Sequence, residues 1–117
     1  MTWLAIAATG VTQAQLPDTV TVGFKNQSEI NVIVKGYTVV NGQPRAGANL
    51  QLPKKIGMAF ERNVPAGVRY YTVFDANSFR VLVKNHPVQI QNRDVPLVIV
   101  PSPTNPARLI IVPDLGN

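Results

Sequence analysis

Cysteine is absent from this chain and histidine occurs once, at His86. These two scarcities exclude most small-protein metal chemistry, since a structural zinc site takes four Cys or His ligands and a catalytic one takes three and a water. With no thiol there is no disulfide, so packing of apolar side chains alone must hold a domain of this size together. Only six Asp and Glu are scattered through 117 residues, which leaves few opportunities for a catalytic carboxylate pair. No Gly-rich phosphate loop, nucleophile elbow or metal-ligand spacing is present. A helical stripe is missing too, because no stretch after Leu16 repeats apolar residues at a period near 3.6. No cofactor and no metal is expected, and catalysis is not the expected activity.

What the chain has instead is alternation. Segments of five to ten residues set apolar against polar positions and are broken by Pro, Gly and Asn, as half-buried strands require. Thr19–Phe24 opens the series with Val20 and Val22 inward. Ile30–Val40 follows, with Gly36 expected as a bulge or bend. Asn41-Gly42 then marks a tight turn, because both residues tolerate positive φ. Gln43–Gly47 is expected as a loop, and Leu50 with Leu52 as a short edge strand stopped by Pro53. Ile56–Val64 and Val68–Phe74 flank the turn Pro65-Ala66-Gly67. On Val68–Phe74 two orientations compete, one with Arg69 at the rim and Tyr71 and Val73 inward, the other with Val68, Tyr70, Thr72 and Phe74 inward; the second set contains no charge and is the favoured one. Phe79–Val83, Val88–Gln91, Val95–Val100 and Arg108–Val112 complete the strands. Pro101, Pro103 and Pro106 remove three donors and fix three φ angles, so their segment is expected to cross between sheets rather than form a hairpin. Eight or nine short strands predict an all-β domain, a small two-sheet β-sandwich of Greek-key type.

The first fourteen residues stand apart from this pattern. Trp3-Leu4-Ala5-Ile6-Ala7-Ala8 with Val11 forms a short apolar run, and Thr12-Gln13-Ala14 follows as a small-residue cleavage site. That layout predicts a signal peptide over 1–14 and a single domain over 15–117, secreted or periplasmic and surface-associated. The run is too short to span a bilayer, which takes about 20 residues.

Eleven basic residues against six acidic ones give a net charge of +5, with the bases spaced along the chain rather than in a block. Solvated strand faces and loop tips account for most of that spacing, and the surplus implies attraction to an acidic glycan, an anionic surface or an acidic protein. Nucleic acid is not favoured, because paired Tyr70 and Tyr71 within a strand are a sheet feature before they are a base-stacking platform.

His86 sits in a turn before Pro87, where Asp75, Asp94 and Met58 are the side chains that could approach it. A small hydrolase would have to recruit the same histidine, with Ser28, Ser78 or Ser102 as nucleophile, and none of these serines has the strand-turn-helix context of an activated nucleophile. Glu61 and Asp75 are the one carboxylate pair expected on neighbouring strands.

Val20-Thr21-Val22-Gly23-Phe24-Lys25-Asn26-Gln27-Ser28 followed by Ile30-Asn31-Val32 resembles the opening of a cupredoxin-like sandwich. There a strand ends in an aromatic residue and Asn, and a metal-binding His precedes Asn-Val. Ile30 stands at the place of that His. The resemblance therefore implies a cupredoxin-like or immunoglobulin-like sandwich without copper.

The expected role is that of a structural or protein-binding accessory module in an envelope or extracellular assembly, with a carbohydrate-binding module as the alternative. The expected contact surface comprises Arg45 at the hairpin tip, Lys54 and Lys55, and Arg69 with Tyr71, since Tyr and Arg are enriched where proteins meet. Self-association is the other form such contact could take.

Overall fold

The structure is a computed structural model that describes residues 19–105 and 107–116. The expected signal segment, 1–14, lies outside the described residues. Among the described residues nine strands follow one another: β1 (Thr19–Asn26), β2 (Val32–Val40), β3 (Gln43–Ala46), β4 (Leu50–Leu52), β5 (Gly57–Pro65), β6 (Gly67–Asp75), β7 (Val81–Ile90), β8 (Val95–Pro101) and β9 (Leu109–Pro113). They form two sheets. The first has the order β9-β8-β1-β5 and the second β3-β2-β6-β7, with β4 also paired to β2. The chain changes sheet between β1 and β2, β4 and β5, β5 and β6, and β7 and β8, and β1 runs parallel to β8.

Alternation decides which side chains meet between the sheets. Val20, Val22 and Phe24 of β1, with Leu97 and Ile99 of the neighbouring β8, face Val32 and Val34 of β2 and Tyr71 and Val73 of β6, all buried. Phe24 meets Tyr71 edge-to-face at the centre, with centroids 4.9 Å apart and planes at 76°. That geometry suits the opposed charge of ring edge and ring face. Asn41 and Gly42 take φ of 52° and 78° and close the β2–β3 hairpin between Val40 and Gln43, the primed turn expected there.

Four local expectations are corrected. Gln43–Ala46 is strand rather than loop, because the tight turn leaves β3 in register with the end of β2. Gly36 is no bulge: it lies mid-strand opposite Tyr71, and a Cβ there would run into the Tyr71 ring and the Arg69 Nε. Phe79–Val83 and Val88–Gln91 are not separate strands. One strand, Val81–Ile90, absorbs Lys84 and Asn85 in a register shift, and it tolerates Pro87 because it is the edge of its sheet. Finally, the proline-rich segment does close a hairpin, since β8 and β9 pair antiparallel in one sheet. The bond that closes it uses a residue that still has a donor, Ser102 N to Arg108 O at 2.8 Å.

All four connections at one end of the sandwich, β1–β2, β4–β5, β6–β7 and β8–β9, are brought together by the register. Val32 lies opposite both Leu52 and Asp75, and Asn26 lies opposite both Gly57 and Ile99. Asn26 organises this end from within. Fully buried, it offers its amide N–H donors to the carbonyls of Ile30 (2.8 Å), Leu52 (3.0 Å) and Pro53 (3.2 Å). Its Oδ1 accepts from Ser28 N at 3.0 Å and Ser28 Oγ at 2.7 Å. Asn31 adds a second tie, its carbonyl accepting from Ala76 N and its side-chain oxygen from Lys54 N.

Candidate functional site

β5 and β6 belong to different sheets, and the polar side chains they turn inward meet between the sheets, toward the end away from the β4–β5 turn. Arg69 and Glu61 are 4% and 7% exposed, and Tyr71 is fully buried beside them. Arg69 donates from Nε to Glu61 Oε1 at 3.0 Å and from Nη2 to Glu61 Oε2 at 2.6 Å, the two-pronged geometry in which a guanidinium matches a carboxylate. Its remaining donors reach Thr38 Oγ1 at 2.9 Å and Gly36 O at 3.3 Å. Tyr71 Oη donates to Glu61 Oε1 at 2.8 Å. Among the described residues no buried side-chain nitrogen or oxygen is left without a partner.

Expected contact residues Arg69 and Tyr71 are therefore core residues, and the inward face of β6 is Arg69, Tyr71 and Val73 rather than Val68, Tyr70, Thr72 and Phe74. The physical reason lies across the sheet gap. Burying an unpaired guanidinium is prohibitive, but Glu61 supplies a paired carboxylate from β5, and glycines at 36 and 47 leave room for the pair. A Cβ on Gly47 would collide with Glu61 Oε2 and Arg69 Nη2. No signal local to β6 reveals this, because the partner is on another strand.

Ionisation follows the same contacts. Burial alone would lower the Arg69 pKa, but its hydrogen bonds to Glu61 and the carboxylate's charge hold it above the usual arginine range. Burial, then the adjacent Glu61 carboxylate, pushes the Tyr71 hydroxyl well above the ordinary tyrosine value, with Arg69 opposing. A pKa raised by folding gives stability that is intact below the unfolded value of about 10 and is lost as pH rises from there toward the folded value. Tyr71→Phe removes that proton. Denaturant stability should thus fall less steeply between about pH 8 and about pH 11 in the Phe variant than in the parent; equal slopes would show that the hydroxyl ionises as freely folded as unfolded.

The other named residues are dispersed. Arg45 is exposed on β3 and lines a recess of about 280 Å³ with Gly47, Phe60, Glu61 and Arg69, whereas Lys54 and Lys55 sit in the β4–β5 turn at the opposite end. Asp75 is not a partner for Glu61: it accepts the amides of Asn77 and Ser78 at 2.8 and 3.2 Å, and these bonds depress its pKa. His86 and Asp94 do line one groove of about 420 Å³ between β7 and β8, where burial lowers the His86 pKa. Asp94 Oδ1 is committed to Thr21 N at 3.0 Å. Among the described residues no three His, Cys, Asp or Glu cluster as metal ligands do. Ile30 is partly buried and packs against the core.

Aromatic side chains expected inside lie on the outer face of the second sheet. Tyr70 is half-buried against Tyr37, with centroids 5.4 Å apart and planes at 28°, and Phe74 carries the Lys35 ammonium 5.4 Å from its centroid. Val39 and Val68 flank them, 51% and 39% exposed. Lys35 is the one charged side chain among the outward residues of β2 and β6, which are Ile33, Lys35, Tyr37, Val39, Val68, Tyr70, Thr72 and Phe74. Nothing in the sequence alone separated this face from the buried one except a choice about Arg69.

No protein-family model matches the chain, and no curated protein is significantly similar to it. Among the described residues no helix is long and apolar enough to cross a membrane.

Proposed function

We propose that the protein is an exported, non-catalytic sandwich that serves as a protein-binding accessory module of an envelope or extracellular assembly, using the outer face of its second sheet. The observation that carries this reading is the contiguous apolar and aromatic face built on Val39, Tyr37, Val68, Tyr70 and Phe74, opposite a core whose polar groups are all engaged with one another. Aromatic residues give large contact area at small entropy cost, and such a face on a sheet is where partners dock.

Lys35 indicates the partner's chemistry, an acidic side chain ringed by apolar ones. A second copy of the chain would bring another Lys35 to the same face and no carboxylate, which disfavours self-association. The carbohydrate-binding alternative is weakened by Tyr37, which covers one face of the ring that a sugar would stack on.

Photo-crosslinking in the source cells tests the assignment. A crosslinker at Val68 should give a discrete adduct that disappears when Lys35→Glu is added, while a crosslinker at Met58 on the other sheet should not. An adduct formed equally at Met58, or indifferent to Lys35→Glu, overturns the reading.

A further inference from the structure

The four-connection end of the sandwich presents two bulky apolar side chains to solvent, Ile56 in the β4–β5 turn at 82% exposed and Phe79 in the β6–β7 turn at 67% exposed. Neither is there by default. Phe79 has φ of 60°, a backbone region that Asn or Gly occupies with ease and a large aromatic residue does not. A buried ring could justify that conformation through packing, but this ring is mostly in water. Ile56 follows Lys55, which has φ of 70°, in a turn pinned by Lys55 N to Ser28 O at 2.8 Å and Gly57 N to Pro53 O at 2.9 Å. Both tips are thus held rigidly outward, and Asn31 bonds the backbone of one turn to that of the other.

Around these tips the charge is basic. Lys54, Lys55, Arg80 and Arg108 are exposed in the same connections, against the acidic residues Glu29 and Asp75. Glu29 forms only an exposed pair with Lys55 at 3.6 Å, and the Asp75 carboxylate accepts the amides of Asn77 and Ser78 in the same turn. At the opposite end the turns at 41–42, 66 and 91–94 carry no large apolar side chain, and the exposed Leu115 that follows β9 there stands next to Asp114 rather than among cations.

Apolar tips ringed by Lys and Arg match the boundary of an anionic bilayer. Acyl chains accept the side chain, and headgroup phosphates meet the cations. We propose that this end docks on an anionic lipid surface, with Ile56 and Phe79 inserted at the headgroup boundary and Lys54, Lys55, Arg80 and Arg108 against phosphate. An acidic protein would satisfy the cations but gives no reason for two separated, mostly hydrated apolar tips. Docked in this way, the strands run away from the membrane; Phe79 borders the outer face of the second sheet, sharing a recess with Ile33, Lys35 and Phe74, while Val39, Tyr37 and Val68 lie farther along that face and stay free for the partner proposed above.

The test is sedimentation of the full chain with vesicles of phosphatidylcholine alone or with phosphatidylglycerol. Binding should appear with phosphatidylglycerol, weaken by about 30-fold in Lys54→Gln/Lys55→Gln, and weaken by about tenfold or more in each of Ile56→Ser and Phe79→Ser. Because Met1–Val11 is itself apolar, the loss in the loop variants is the decisive reading: binding unaffected by them overturns the proposal. So does equal binding to phosphatidylcholine alone. A Phe79→Trp variant in which Trp3 is replaced by Phe should shift its emission to the blue on phosphatidylglycerol vesicles. If it does not, and polyglutamate competes as well as the vesicles, the end is an electrostatic protein site and the lipid assignment fails. Circular dichroism confirms that each variant is folded, and Arg93→Gln, in the β7–β8 turn at the opposite end, should bind as the parent does.

Discussion

Arg69→Ala should cost about 3–5 kcal/mol, because it strips the partner from a carboxylate that stays buried. Glu61 would keep only the Tyr71 hydroxyl at 2.8 Å, while Thr38 Oγ1 and Gly36 O would lose a donor each. The loss should appear as a lower urea midpoint at unchanged slope, the mark of reduced stability rather than altered compactness. The ion pair need not itself stabilise the fold, since desolvating two charges costs about what their attraction returns. Replacing both members by apolar residues, Arg69→Met with Glu61→Leu, should therefore recover most of the loss. A single Arg69→Ala variant within about 1 kcal/mol of the parent would mean that water reaches Glu61 and relieves its charge.

Tyr71→Ala should be similarly damaging, at about 3–5 kcal/mol, for a different reason. Its ring fills the centre of the sandwich against Phe24 and covers Gly36, so truncation leaves a cavity bounded by a backbone that has no Cβ to occupy it. Phe74→Ala, on the same strand but the outer face, should cost only about 1 kcal/mol, because its ring is partly exposed on the sheet surface beside Ile33, Val81 and the Lys35 ammonium rather than enclosed between the sheets. This ordering reverses the one expected when Phe74 is placed inside. Comparing the two midpoints decides between the faces, and a Phe74 variant as unstable as the Tyr71 variant would refute the packing described here.

Period-two alternation was legible at once, and it named an all-β sandwich because a strand's side chains must divide between two faces whatever they pack against. Asn41-Gly42 likewise announced its hairpin, since positive φ at two successive residues is a local demand. Connections that depend on strands far apart in sequence were not legible. The prolines between Pro101 and Pro106 suggested a crossing because their missing donors argue against pairing, yet a hairpin needs only the donor at Ser102.

The candidate site divides in the same way. Lys54, Lys55 and Arg45 are exposed as expected, because their surroundings are turns and edges that local sequence describes. Arg69 and Tyr71 are buried because Glu61, eight and ten residues away on the other sheet, satisfies both. Alternation in β6 permits two opposite orientations, and the sequence by itself determined only that one of them is used. Tertiary structure decided which, because the cost of burying a charge depends on whether another strand delivers its counter-charge within hydrogen-bond reach. The gathering of Ile56 and Phe79 at one end was decided in the same way, by the register that sets Leu52 and Asp75 opposite Val32.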